Sequence, residues 1–307
     1  MNPELAPFLA PPDPATLPLP PAAHPADGVR LLRAVPYAAR DGSRPLELDL
    51  WLPEEPAAGP PPVVVFVHGG AWRTGLRDDL GPRFGAWRPG PFARLARAGL
   101  AVACPDYRLS GEAPFPAALD DLTEALAWLR TRAADLGVDA GRTVAWGESA
   151  GGHLAALLAL TAGPAAPRGC VVWYAPTDLT AAPPHTPEAA LLGAPAAEVP
   201  DLAHAASPCA RAAPGAPPFL ILHGDGDTVV PVAQGEALAS ALRAVGTEAD
   251  FRAVPGADHL WIGASERQVA ECFSASLDFV RDRTRPDART ETGMTDSPRP
   301  APQDDRR

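Results

Sequence analysis

Thr143-Val144-Ala145-Trp146-Gly147-Glu148-Ser149-Ala150-Gly151-Gly152-His153-Leu154-Ala155-Ala156-Leu157 joins a short apolar run to an alanine- and leucine-rich stretch through a turn of small residues. The run has the character of a strand buried on both faces, and residues 150–162 read as a helix. Between them, Gly147-Glu148-Ser149-Ala150-Gly151 has the placement of a nucleophile elbow, a strained strand-to-helix turn whose neighbours must be small. The turn would lift Ser149 Oγ above the sheet, where the helix N-terminus favours developing negative charge. A glycine-rich turn with a capping serine is the plainer alternative, and the flanking strand and helix argue against it.

Working outward, strands are expected at residues 29–37 and 46–52, the second alternating Leu46, Leu48, Leu50 and Leu52 with Glu47, Asp49 and Trp51. Unbroken apolar runs follow at 62–68, 100–107, 170–175 and 218–223, with a last strand at 250–254. Between them lie helical stretches at 91–99, 116–137, 232–246 and 265–281. Strand and helix in repeated alternation predict an α/β fold, a mostly parallel central sheet with helices on both faces. Residues 1–28, with nine prolines, read as an extended and poorly ordered lead-in, 29–283 as one catalytic domain, and 284–307 as a polar, proline-broken, disordered tail.

Composition narrows the function. The 307-residue chain has 46% hydrophobic residues, enough for a sizeable core, and 40 prolines, which predict rigid loops. All 26 cationic residues are arginine, so Schiff-base, P-loop and Ser-Lys chemistry have no lysine to use. A net charge of −11 with no basic stripe argues against a nucleic-acid partner. No apolar run is long enough to span a membrane, and the first residues lack a signal-peptide pattern. Four scattered cysteines without a CxxC pair read as free thiols in a reducing, cytoplasmic compartment. No ligand cluster or dinucleotide fingerprint is present, so neither a metal nor an organic cofactor is expected.

A second motif, His68-Gly69-Gly70-Ala71-Trp72, follows the strand at 62–68. Acyl transfer needs backbone N–H groups aimed at a carbonyl oxygen as it turns anionic, and Gly70, Ala71 and Ala150 could supply them. His68 reads as a brace for this loop. A serine needs a base, and the base an orienting acid, here in the chain order Ser, acid, His. His153 lies on the helix and points away from Oγ; His185 and His204 lack a preceding strand; His223 ends a buried strand. His259, in a loop after the last strand, is the expected base. Asp225 and Asp227 in His223-Gly224-Asp225-Gly226-Asp227-Thr228-Val229-Val230-Pro231 compete as the acid, and spacing leaves both open. Asp178, after an earlier strand, is a third candidate.

Taken together these residues resemble the α/β-hydrolase superfamily, in its esterase/lipase branch of feruloyl-esterase-like and hormone-sensitive-lipase-like carboxylesterases. The likeness covers roughly residues 45–281 and rests on HGGAWRTG, DYRLSGEAPFPAALDDL, WGESAGGHLAALLAL, WYAPTDL and PPFLILHGDGDTVVPVAQ. It implies that the acid is the second aspartate of the loop, Asp227, and the base His259. Two departures stand out: Ala71 occupies the fourth position where many relatives have glycine, and Glu148 stands where an aspartate is common, with no role evident. Asp106, Tyr107 and Arg108 are expected to form a hydrogen-bonded corner, with Asp121 paired to an arginine.

The expected activity is hydrolysis of a small carboxylic ester by a Ser149–His259–Asp227 triad through an acyl-enzyme. Arylformamidase of the kynurenine type, an oligopeptidase-like amidase and a catalytically inactive binding module on the same fold are the alternatives. Residues 73–90 and 180–208 are the natural cap over Ser149, short and poor in aliphatic runs, which favours short acyl chains. Trp72, Trp87, Phe115, Trp173 and Trp261 are candidate pocket walls. Nothing in the sequence sets an oligomeric state.

Overall fold

The computed structural model describes residues 11–40, 43–56 and 59–286. Nine strands form one sheet: β1 (Ala23–Ala26), β2 (Val29–Ala38), β3 (Leu46–Pro53), β4 (Pro62–Val67), β5 (Ala101–Pro105), β6 (Asp139–Glu148), β7 (Cys170–Trp173), β8 (Phe219–Gly224) and β9 (Ala249–Val254), in the order β1-β2-β3-β5-β4-β6-β7-β8-β9. The first three pair antiparallel, and β3 meets β5 antiparallel. From β5 across to β9 every pairing is parallel. The apolar runs Val63–Val67, Val144–Trp146 and Phe219–Leu222 are buried because helices cover both sides of these strands.

One face carries α2 (Ala117–Thr131), α3 (Ala150–Thr161) and α4 (Ala233–Ala244) over a core of leucine, alanine and valine. The other carries α1 (Pro91–Arg97) and α5 (Glu266–Arg283) over an aromatic core containing Phe66, Phe84, Phe92, Trp146, Trp173 and Trp261. The division follows from residue size. Close approach of α3 to the sheet needs small side chains, whereas the α5 face is filled by interlocking rings such as Trp146–Trp173 at 5.1 Å. Helix α5 starts with a full capping box at Ser265 and Gln268.

The sequence reading departs from the structure at the ends and at one helix. Residues 11–28 do not trail away. The carbonyl of Pro14 accepts from Trp128 Nε1 at 3.2 Å, that of Leu17 accepts from Arg132 at 3.1 Å, and residues 23–26 add strand β1. A proline-rich segment leaves its carbonyls without local partners, and an indole and a guanidinium on the α2 side satisfy them. Residues 1–10 lie outside the described residues. Thr284 is buried and its carbonyl accepts from Arg142, so the ordered domain runs past the expected boundary at 283; the rest of the expected tail, 287–307, lies outside the described residues. The helix expected at 116–137 breaks at Arg132 and resumes over Ala133–Leu136.

In parallel strands all C-terminal ends lie on the same side, so the loops after β4, β6, β8 and β9 share one edge of the sheet. Strand order reverses between β5-β4 and β4-β6, which opens a crevice at that edge.

Candidate active site

Ser149 occupies the turn between β6 and α3 with φ 52° and ψ −123°, a conformation that costs a non-glycine residue free energy. The surrounding packing holds it there. A Cβ on Gly147 would lie 2.2 Å from the carbonyl oxygen of Gly151, and one on Gly151 would lie 2.0 Å from that of Val67. Backbone meets backbone at these positions, so only glycine fits. The Ser149 amide donates to the carbonyl of Trp173 at 2.9 Å, tying the elbow to β7.

His259 follows β9, and its Nε2 lies 3.0 Å from Ser149 Oγ, which donates to it in the neutral ring. Its Nδ1 donates to Asp227 Oδ2 at 2.8 Å. The other oxygen, Asp227 Oδ1, accepts from the amides of Val229 and Val230 at 2.9 and 2.8 Å. Burial of Asp227 opposes ionisation. Hydrogen bonds from the rings of His223 and His259 and from the Val230 amide outweigh it, leaving the carboxyl well below the usual carboxylate range. The acid is therefore ionised in the neutral range in which His259 must act as a base.

The structure separates the competing aspartates. Asp225 Oδ1 accepts from the Gly256 amide at 2.7 Å and so joins the β8 loop to the β9 loop. Asp178 caps its own turn at Thr180. The histidines divide as cleanly. His153 Nε2 donates to the carbonyl of Ala206, and Nδ1 accepts from Trp72 Nε1; burial pushes its pKa down to about 4, so it stays neutral. His223 is buried and donates to the carbonyl of Val230, while His185 and His204 are exposed. His68 stacks on Tyr107 at 4.5 Å and donates through Nδ1 to the carbonyl of Gly69, a brace as expected. Asp106, Tyr107 and Arg108 do not bond to one another as a corner: Asp106 pairs with Arg44 and Arg77, Tyr107 donates to the carbonyl of His68, and Arg108 grips Asp121 at 2.7 Å, the arginine pairing expected for Asp121.

In the loop after β4, Gly70, Ala71 and Trp72 all have positive φ, at 105°, 55° and 55°. The amides of Gly70, Ala71 and Ala150 have no hydrogen-bond partner among the described residues, as donors awaiting an oxyanion must. The Gly69 amide is already spent: it donates to Glu148 Oε1 at 2.7 Å. A cavity of about 190 Å³ adjoins this loop, its lining including Gly69, Gly70, Thr74, Asp79, Glu148 and Leu260. An open groove of about 900 Å³ lies further out, bordered by Arg73, Ser110, Glu112 and His185.

The aromatic walls are corrected by the structure. Trp72, Phe115, Trp173 and Trp261 are buried in the two cores, and Trp87 packs beneath Arg94 at 4.2 Å. None lines either space. An aromatic side chain at a sheet end gains more by filling the core than by facing water, and the loops here are long enough to fold it back. The expected cap is also more built than it reads: residues 180–208 include helices Pro187–Leu192 and Pro200–Ala205, and Arg83 from the other segment donates to the carbonyls of Trp261 and Ala264.

Two residues escaped the sequence reading. Asp258 Oδ1 accepts from the amides of Thr228 and His259, both at 2.7 Å, binding the acid loop directly to the base. A short acidic side chain just before a helical turn is the signal that could have revealed it. Glu148 is the other.

Comparison with known proteins bears on the family. The BD-FAE family model matches residues 48–242. Esterase LipQ of Mycobacterium tuberculosis is 33% identical over 273 residues, 81% of this chain and 62% of its own length. Esterase LipC of the same organism is 31% identical over 256 residues, 76% and 62%. The chain thus spans about three fifths of the length of these curated relatives. A solved structure of a truncated form of carbohydrate esterase from gut microbiota superposes with a TM-score of 0.73 at 26% identity, covering 83% of this chain and 96% of that one.

Proposed function

The chain belongs to the BD-FAE family of α/β-hydrolase serine esterases, and from that premise we propose that it hydrolyses small carboxylic esters with short acyl chains, using Ser149, His259 and Asp227. The observation that carries the reading is the unbroken hydrogen-bonded line from Ser149 Oγ through the His259 ring to Asp227 Oδ2.

In the first half-reaction Ser149 Oγ forms a bond to the ester carbonyl carbon while its proton passes to His259 Nε2. Asp227 holds Nδ1 protonated, so that Nε2 is the basic nitrogen, and stabilises the imidazolium. The carbonyl oxygen becomes anionic against the amides of Gly70, Ala71 and Ala150. The carbon–oxygen bond to the alcohol then breaks, and His259 returns the proton to the departing alkoxide. Water attacks the acyl-enzyme by the same steps in reverse order of roles, releasing acid and free Ser149. No residue in this sequence of events calls for a metal or organic cofactor.

The short-chain preference rests on the two cap segments, residues 73–90 and 180–208, which are short and carry few aliphatic runs. Each extra methylene helps by about 0.8 kcal/mol only where it can be buried. A p-nitrophenyl ester series at sub-micellar concentration should show kcat/KM highest from acetyl to butyryl; a steady climb to ten carbons would refute the preference. Four free thiols support a reducing, cytoplasmic setting, and no helix among the described residues is long and apolar enough to cross a membrane.

A further inference from the structure

Glu148 sits between the two halves of the oxyanion hole. On one side it precedes Ser149 in the chain; on the other its Oε1 accepts from the Gly69 amide, next to Gly70 and Ala71. The fit is close: a Cβ on Gly69 would lie 2.1 Å from Oε1. The side chain is 6% exposed, and Oε2 has no hydrogen-bond partner among the described residues. The buried hydroxyl of Tyr174, likewise without a partner at hydrogen-bond distance, faces this carboxylate, and the Tyr174 ring packs edge-on against the His259 ring at 4.9 Å.

A carboxylate with an open oxygen is costly inside a protein unless it does something there. Its electrostatic neighbours indicate what. The Gly69 amide faces it from the β4 loop, Asp79 from further along that loop, Tyr107 from after β5, Tyr174 from after β7 and His259 from after β9. His68, in the same wall, is buried, which pushes its pKa below the ordinary histidine value. Of these groups His259 is the one on which the proposed reaction creates a positive charge.

We infer that Glu148 is a positioning residue with two tasks: its carboxylate fixes the oxyanion loop through Gly69, and its charge favours the imidazolium of His259. The inference rests on the esterase reading above. Burial pushes the Glu148 carboxyl up to about 7, against the pull of the Gly69 amide and His259. The charge is thus present in slightly alkaline buffer and absent in mild acid.

Glu148→Gln separates the tasks, because its amide oxygen can still accept from Gly69 while the charge is gone at every pH. With p-nitrophenyl acetate, kcat of Glu148→Gln should be about tenfold below the parent at pH 8, with KM little changed. The deficit should shrink toward pH 5, where the parent's own carboxyl is protonated. Glu148→Asp, which keeps a charge but reaches less far, should restore the parental shape of the pH profile at reduced kcat. Glu148→Ala should lose more than Glu148→Gln, since the loop tie goes too. A Glu148→Gln deficit equal at all pH values, or none at pH 8, would overturn the inference. If Glu148→Gln fails to fold, infrared difference spectra of the parent decide: a protonated-carboxyl band that disappears between about pH 6 and 8 supports it, and its absence overturns it. Ser149-dependent turnover by the parent is measured in the same assay, so failure of the esterase reading shows separately, as turnover that survives Ser149→Ala.

Discussion

The four loops at the working edge of the sheet form two pairs held by different means. The β4 and β6 loops, which carry the oxyanion amides and Ser149, are set by backbone packing: glycines pressed against carbonyls, positive φ angles, and one buried carboxylate between them. The β8 and β9 loops, which carry Asp227 and His259, are set by side chains. Asp225 reaches Gly256 and Asp258 reaches Thr228, each aspartate crossing from one loop to the other. Backbone packing cannot adjust without unfolding the turn, whereas a side-chain tie can be cut singly. The nucleophile half should thus respond to mutation in an all-or-none way and the acid–base half by degrees.

Substitutions test the contrast directly. The largest effect belongs to Ser149→Ala, which should lower kcat on the order of 10⁶-fold while the melting temperature stays within a few degrees, since a hydroxyl is lost from a turn held by other contacts. Retention of a tenth of parental turnover would remove Ser149 from the mechanism. Next comes Asp227→Asn, with an expected loss of about 10⁴ in kcat, as for triad acids elsewhere. Asp225→Asn, which only loosens a tie, should cost about tenfold or less; reversal of the two would mean that the loop is misread. Asp258→Ala lies between. It frees the amides of Thr228 and His259 together, and displacement of a base by about 1 Å can cost 10²-fold. Steady-state kinetics should show kcat falling by about 10- to 100-fold with KM steady, and a wild-type kcat would show that the crossing tie is dispensable.

A last effect is one of stability, in the nucleophile half. The Glu148 carboxyl sits higher in the folded protein, at about 7, than in the unfolded chain. A raised acid binds its proton more tightly when folded, so the parent loses stability as pH rises from about 4 to 7, and the full cost persists above that. Glu148→Gln has no such cost. Its stability relative to the parent should therefore rise with pH, by up to about 3 kcal/mol at pH 8. Urea unfolding at pH 5 and pH 8 measures it, and a difference independent of pH would contradict the burial argument.

The same contrast explains what could be read in the sequence. Gly147, Ser149, Gly151, Gly70 and Ala71 were legible because backbone packing demands particular small residues at particular offsets from a strand. The acid was legible only through the family resemblance: by spacing Asp225 and Asp227 both suit a loop after β8, and it is the contact with His259 after β9 that sets Asp227 apart. Asp258 was invisible for the same reason. Strand β1 was missed because Pro25 and the prolines before it mask a short edge strand, whose partner β2 supplies the pairing. The tryptophans misled in the opposite sense, since position near a sheet end says nothing about which way a large side chain turns.

The open sheet also has two margins, and each is blunted. At one, β1 is four residues long, contains Pro25, and has the His24–Glu54 pair beside it. At the other, β9 carries Asp250 and Arg252, paired at 2.6 Å, on its outer run. Proline removes a donor, and fixed charge resists a dry, paired contact, so neither margin offers another chain a long apolar template. For a protein whose sequence has no lysine with which to blunt a strand edge, this is a colloidal safeguard. It lets an unclosed nine-stranded sheet persist at high concentration without growing by edge-to-edge addition.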